Sequence, residues 1–216
     1  GNEKQVMSDI ALNYVKSNLH TRSDMRGFYH PVNTYNSVSC ASLAELANKY
    51  GITPDNKHET DLIERESSAF IAGYLRGLFD ADGTVCGSIK RSVTVRLSQN
   101  NYQFLESIQR MLLRLGIRST LHKERQKAGY KLMPNGKGGL AEYYCNAGHE
   151  LIISRRSLIV YRDRVGFNSP SKMNRLNNYL NIVTPYKDNW FARVTAVVPA
   201  GENEVYDCTI PDIAAF

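Results

Sequence analysis

No run of apolar residues in this chain approaches the roughly 18 that a membrane-spanning helix needs. The N-terminal stretch also lacks the charged, apolar and small-residue segments of a secretory signal. Both absences lead to the expectation of a soluble, cytoplasmic protein without a membrane partner. Cysteine is sparse: Cys40, Cys86, Cys145 and Cys208 lie far apart and form no CxxC pair. That spacing speaks against a zinc ribbon or a disulfide framework and suits reduced thiols. The five histidines form no HExxH pair, and Asn135 to Gly139, NGKGG, is not a phosphate-binding P-loop, because no serine or threonine follows the lysine. At 216 residues the chain is long enough to bury a core without such staples, as one large domain or two small ones.

Positive charge, by contrast, is in excess, with a formal +6 and a pI of about 9.1. Such an excess favours polyanionic partners, and its distribution says more than its total. Arg118, Lys123, Arg125, Lys127, Lys131 and Lys137 stand against one acid, Glu124, in a glycine-containing stretch that reads as a mobile basic loop. A solvated loop would also account for that composition, so the surrounding sequence has to decide.

The segment from Ser67 to Gly83, SSAFIAGYLRGLFDADG, reads as a helix. Its serines can cap orphan N–H groups, and Gly83 suits a left-handed C-terminal position. Phe70, Ile71, Tyr74, Leu75, Leu78 and Phe79 form one apolar stripe at helical spacing. Ala69, Gly73, Gly77 and Ala81 recur every fourth residue as a second ridge of small side chains. An interior glycine costs roughly 1 kcal/mol relative to alanine, and close approach of another helix along the ridge would offset that cost. The helix ends in Asp80 and Asp82. Carboxylates delivered where two packed helices terminate can hold a hard cation such as Mg²⁺, which takes one or two of them together with phosphate oxygens and water. Alone, DADG would be an ordinary polar turn; the combination of ridge, stripe and terminal acids is far more specific.

Leu75 to Gly83, LRGLFDADG, resembles the signature of the LAGLIDADG endonucleases, departing at Arg76 and Phe79. The resemblance implies that two such helices pack together, that Asp82 and the carbonyl of Ala81 bind a catalytic divalent metal, Mg²⁺ or another, and that Asp80 is structural. It also implies an α+β fold of two αββαββα repeats, whose sheets form a saddle over double-stranded DNA.

Downstream, Val85, Gly87 and Ile89, then Val93, Val95 and Leu97, alternate about a polar turn and predict a hairpin with one buried face. A helix over Asn101 to Leu115, an exposed strand over Arg118 to Arg125, a strand around Tyr143 to Ser154 and a helix from Ser157 to Val165 follow. The N-terminal residues echo the second half of this series. SNLH at Ser17 resembles STLH at Ser119, and Ser42, Gly51 and Lys57 match Ser157, Gly166 and Lys172. Residues 1–62 are therefore expected to be a partial first repeat lacking its motif helix, and 63–185 a complete second one. The small ridge then needs a partner from another polypeptide, an N-terminal intein or endonuclease fragment in preference to a homodimer.

Phosphodiester hydrolysis needs charge stabilisation, an activated water and a proton or electrostatic partner for the leaving oxygen. Lys57 and Lys172 resemble the basic residue that the family places near its cleavage centre and join Asp82 as catalytic candidates. For DNA contact the candidates are Lys90, Arg91 and Arg96 on the hairpin, with Arg118, His122, Lys123 and Arg125 beyond it. Residues 194–216 read as two strands around Gly201 to Asn203, and the second resembles a late intein splicing block with Asp207 in an assisting position. Residues 186–216 are thus expected to be the C-terminal β segment of an intein Hint domain. The expected function is that of an intein-associated LAGLIDADG homing endonuclease fragment; the alternative is a cleavage-inactive DNA-binding or splicing scaffold.

Overall fold

The amphipathic segments of the sequence fold around one four-stranded sheet, beside which Tyr29–Val32 with Tyr35–Ser37 and Gly129–Pro134 with Leu140–Cys145 form two separate two-stranded sheets among the described residues. A computed structural model describes residues 2–19, 21–22, 29–32, 35–136, 138–187, 194–199 and 201–204. In chain order the elements are α1 (Asn2–Asn18), β1 (Tyr29–Val32), β2 (Tyr35–Ser37), α2 (Ala41–Lys49) and the one-turn α3 (Asp61–Glu64). The motif helix α4 (Ser68–Asp82) runs directly into β3 (Gly83–Ser88), a 3₁₀ turn (Ile89–Arg91) and β4 (Ser92–Gln99). Then come α5 (Tyr102–Arg114), β5 (Thr120–Gln126), β6 (Gly129–Pro134), β7 (Leu140–Cys145), β8 (Gly148–Ile153), α6 (Ser157–Arg164) and α7 (Pro170–Ile182). Among the described residues no helix is long and apolar enough to cross a membrane.

The main sheet is antiparallel in the order β3–β4–β8–β5. Its register aligns Val85 with Val95 and Ile153, and Leu97 with Leu151 and Leu121. These rows face the core, where Leu97, Leu151, Val95 and Ile153 are fully buried against Leu105, Ile108 and Leu112 of α5. Helix α4 contributes Ile71, Leu75 and Phe79, all fully buried. At about 1.5–3 kcal/mol for each large apolar side chain taken from water, that stripe outweighs the cost of the two interior glycines. Ser67 caps the helix by accepting the N–H of Phe70 at 3.2 Å. Tyr50, just after α2, donates its hydroxyl to Glu66 at 2.8 Å and packs its ring on Phe70, tying the segment before the motif helix to its start.

Several expectations are corrected. Gly83 is not left-handed: its φ of −77° is extended, and it opens β3. Glycine is required there because a Cβ would lie 2.5 Å from the carbonyl oxygen of Phe79. Gly87, expected on the buried face, is exposed at φ +104°, where a Cβ would collide with Ser92. The basic loop is a hairpin, β6 with β7, and the strand expected around Tyr143 is divided at 146–147 between β7 and β8. Ser17 and Asn18 close α1, whereas Thr120 to His122 lie in a strand, so that part of the N-terminal echo differs in conformation. The echo's helix-ending glycines do coincide, Gly51 at φ +71° and Gly166 at φ +63°. Residues 194–199 form no strand, and Val194, Val197 and Val198 are exposed; Asp207 and Cys208 lie outside the described residues.

The two kinds of glycine separate in a stability measurement. Gly83→Ala should lower the unfolding free energy by about 2 kcal/mol or more through overpacking, read as a fall in urea midpoint. Gly73→Ala, whose Cβ meets nothing within 4 Å, should instead raise it by up to about 1 kcal/mol.

Candidate active site at the end of the motif helix

Asp80 and Asp82 leave the last turn of α4 in different directions, and their surroundings divide their roles. Asp80 accepts the backbone N–H of Asn168 on one oxygen at 3.1 Å and that of Ser169 on the other at 3.0 Å. Ser169 caps α7, its hydroxyl accepting the N–H of Lys172 at 3.4 Å. From that first turn the Lys172 ammonium reaches back and donates to the carbonyls of Phe79 at 3.2 Å and Asp80 at 2.5 Å. Two helix ends thus exchange charge: a carboxylate sits at the positive N-terminus of α7, and a cation at the negative C-terminus of α4. Phe79 lies edge-on to Tyr161, 5.3 Å between centroids. Burial, reinforced by the Asp80 carboxylate, pushes the Tyr161 phenol up from its ordinary pKa. Arg76 donates to the carbonyl of Val165 at 2.6 Å, fixing α4 to the end of α6. Both departures from the motif, Arg76 and Phe79, therefore serve packing.

Asp82 is exposed. One of its oxygens, Oδ2, accepts from the Gln99 amide at 2.9 Å, and Oδ1 has no partner among the described residues. Ala69, Gly73, Gly77 and Ala81 are all exposed, and a Cβ built on either glycine meets nothing within 4 Å. Among the described residues the ridge is open along its whole length, with room for a neighbouring backbone. Among the described residues no group of three or more His, Cys, Asp or Glu side chains is gathered for a metal. Ala81, Asp82 and Lys172 are brought together at this helix end. Lys57 is not: it is exposed in the turn before α3, and among the described residues no hydrogen bond joins it to α4.

The sheet face away from the core carries Thr84, Arg96, Ile152 and Thr120 in one row and Ser98, Glu150 and His122 in the next. Arg96 donates to Thr94 at 2.9 Å and pairs with Glu150 at 3.4 Å, while Arg125 pairs with the other oxygen of Glu150 at 2.6 Å. Two arginines share one carboxylate, so the cluster keeps a net positive charge and is held in place. Lys90 and Arg91 are exposed at the hairpin turn, and His122 is exposed on the open face. Arg118 precedes β5 and is half-buried, its N–H held by Ser157 at 3.2 Å. Lys123 departs from the others: its ammonium lies 5.5 Å from the centroid of Tyr102 at the start of α5, on the side of the core. Gln99 and Glu150 escaped the sequence reading, since only register places one beside Asp82 and the other between two arginines.

Residues 69–166 match the family model of the LAGLIDADG-like domain. The matched segment takes in Asp80, Asp82, Gln99 and the four-stranded sheet, while Lys57 and Lys172 lie outside it. Over 181 residues the chain is 27% identical to ribonucleoside-diphosphate reductase NrdEB subunit alpha of Bacillus subtilis, covering 79% of this chain and 16% of that protein. It is 29% identical over 141 residues to a glutamine–fructose-6-phosphate aminotransferase of Methanocaldococcus jannaschii, covering 65% of this chain and 11% of that protein. A DNA polymerase of the same organism is 33% identical over 141 residues, covering 63% of this chain and 8% of that protein. The chain therefore spans only a small part of these curated relatives. Among solved structures, a mesophilic variant of the homing endonuclease I-DmoI is similar at TM-score 0.47 and 20% identity, over 75% of this chain and 72% of that one. An I-DmoI variant in complex with its nicked target DNA in the presence of manganese is similar at TM-score 0.44 and 19% identity, over 76% and 73%.

Because the Asp80 contacts anchor the motif helix, Asp80→Ala should cost about 2–3 kcal/mol, since hydrogen bonds to a charged group contribute about 1.5–3 kcal/mol. Urea unfolding of this variant beside Asp82→Ala, which should change stability by less than about 0.5 kcal/mol as an exposed site, checks the division of roles.

Proposed function

We propose that this chain is part of an intein-associated LAGLIDADG homing endonuclease that cuts double-stranded DNA when a second motif helix covers its open ridge. The observation that carries this reading is the exposed line Ala69, Gly73, Gly77 and Ala81, which ends at the exposed, incompletely bonded carboxylate of Asp82. A helix with two glycines and space around both is shaped for close backbone approach. Such a neighbour would bring its own terminal acid to Asp82.

A divalent cation such as Mg²⁺ fits this end of the helix as half of a site. Asp82 supplies one carboxylate with a free oxygen, the Ala81 carbonyl lies beside it, and Mg²⁺ commonly takes one or two protein carboxylates with phosphate and water. When bound, the ion would neutralise charge on the scissile phosphate. Lys172 then acts as a positioning residue that holds the helix end in register with α7. The polar face with Arg96, Arg125 and His122, together with Lys90 and Arg91 at the hairpin turn, suits phosphate and base-edge contact, because a two-stranded ribbon fits the major groove.

The intein association has separate support. An aminotransferase, a reductase subunit and a DNA polymerase have different chemistries, yet each contains a limited segment similar to this chain. A segment shared in that way behaves as a mobile insert rather than as part of any one enzyme. We take residues 1–62 as the remainder of a first repeat and 186–216 as the splicing-domain segment, with Asp207 in an assisting role and an upstream fragment as the partner.

Supplying a polypeptide that carries the second motif helix should give Mg²⁺-dependent cutting of a long duplex site. Asp82→Asn in that complex should reduce the cleavage rate by on the order of 10²–10³-fold or more while leaving duplex affinity nearly unchanged, and chelation should abolish cutting. Normal cleavage by Asp82→Asn refutes the assignment. Duplex binding without nicking under any divalent metal selects the scaffold reading instead.

A further inference from the structure

A cleft of about 620 Å³ opens at the start of α5, lined by His58, Asn101, Tyr102, Lys123, Asn146 and His149 among other residues, with no carboxylate in its walls. None of these side chains is needed by the site above except through the strand register. His149 is the buried member, only 7% exposed. Its Nδ1 accepts the backbone N–H of Glu124 at 2.9 Å, which puts the ring proton of the neutral imidazole on Nε2. That Nε2–H has no protein partner among the described residues, and the ring lines the cleft.

Local backbone geometry prepares the arrangement. The register of β5 against β8 shifts between His122 and Gln126, and Glu124 takes φ +49°. A bulge re-aims the side chains around it. Here it supplies the N–H that orients His149, while Lys123, two residues after the core-facing Leu121, lies toward Tyr102. Tyr102 lies edge-on to His149 at 5.2 Å between centroids. In the first turn of α5, Asn101 satisfies the N–H of Phe104 at 3.0 Å, while those of Tyr102 and Gln103 have no acceptor among the described residues. A lysine, a buried imidazole donor and unpaired helix N–H groups then converge without a competing acid.

We infer that this cleft is a phosphate-binding site. Gln99, which holds Asp82, pairs with His149 across adjacent strands, so the cleft lies at the same end of the sheet as Asp82. Assigning the phosphate to a duplex backbone rests on the nuclease reading; phosphate recognition itself does not.

The test has two arms on the full chain. In the first, imidazole ¹⁵N resonances are followed while inorganic phosphate is titrated against chloride at matched ionic strength. The His149 signal should shift saturably in the wild type and much less in Lys123→Gln, whose backbone spectrum reports that it remains folded. In the second, duplex affinity is measured against salt, where Lys123→Gln should lower the magnitude of the log–log slope by about one. A saturable shift with the slope change assigns the duplex backbone. A saturable shift without it assigns a free phosphate compound. If phosphate moves His149 no more than chloride does, the proposal is overturned whatever the duplex arm gives. A phosphate response from a chain that binds no duplex, even when supplied with its second motif helix, would refute the nuclease reading and leave this site standing.

Discussion

The exchange of charges between the end of α4 and the start of α7 sets the position of everything else at this site. Asp80 accepts the backbone N–H groups of Asn168 and Ser169, and Lys172 donates to the carbonyls of Phe79 and Asp80. Each charge meets the helix end of opposite polarity. With both sides satisfied, the last turn of α4 cannot fray, and the chain enters β3 in an extended conformation at Gly83. Asp82 is carried outward as the one acid of the motif without an anchoring role.

That anchoring also explains how a helix can keep one long side bare. Ile71, Leu75 and Phe79 supply the burial that holds α4 to the sheet and to α5, so the ridge of Ala69, Gly73, Gly77 and Ala81 is not needed for the stability of this chain. Its glycines lower stability where they stand, and their value lies in the approach they permit. The sheet shows a similar economy. Its core rows are aliphatic, while on the other face Glu150 holds Arg96 and Arg125 and limits their conformational freedom before any ligand arrives. Pre-ordered side chains lose less entropy on binding.

Sequence periodicity located the motif helix, the β3–β4 hairpin, α5 and α6 closely, because each has a strong local signal in its apolar spacing or its cap. It gave little warning of α7, whose polar composition, NRLNN between Met173 and Tyr179, hides the buried Leu176 and Tyr179. It also missed β6 and the start of β7, whose Tyr130, Leu132 and Leu140 are exposed and so carry no signal of a half-buried strand. A glycine after a helix suggested a left-handed cap, but the close pass of the Phe79 carbonyl was the actual constraint. Local rules favour the commonest cause of a glycine, and steric contact with a preceding turn leaves the same letter.

By itself the sequence determined that a ridged, amphipathic helix would end in two acids and feed a hairpin, because those features depend on neighbours within a few residues. Only the tertiary structure decided which acid is tied and which is open, that Lys172 serves the helix end, and that Lys123 faces the cleft beside His149 instead of the open face. Those outcomes depend on partners up to 93 positions away in the chain, which sequence spacing does not record.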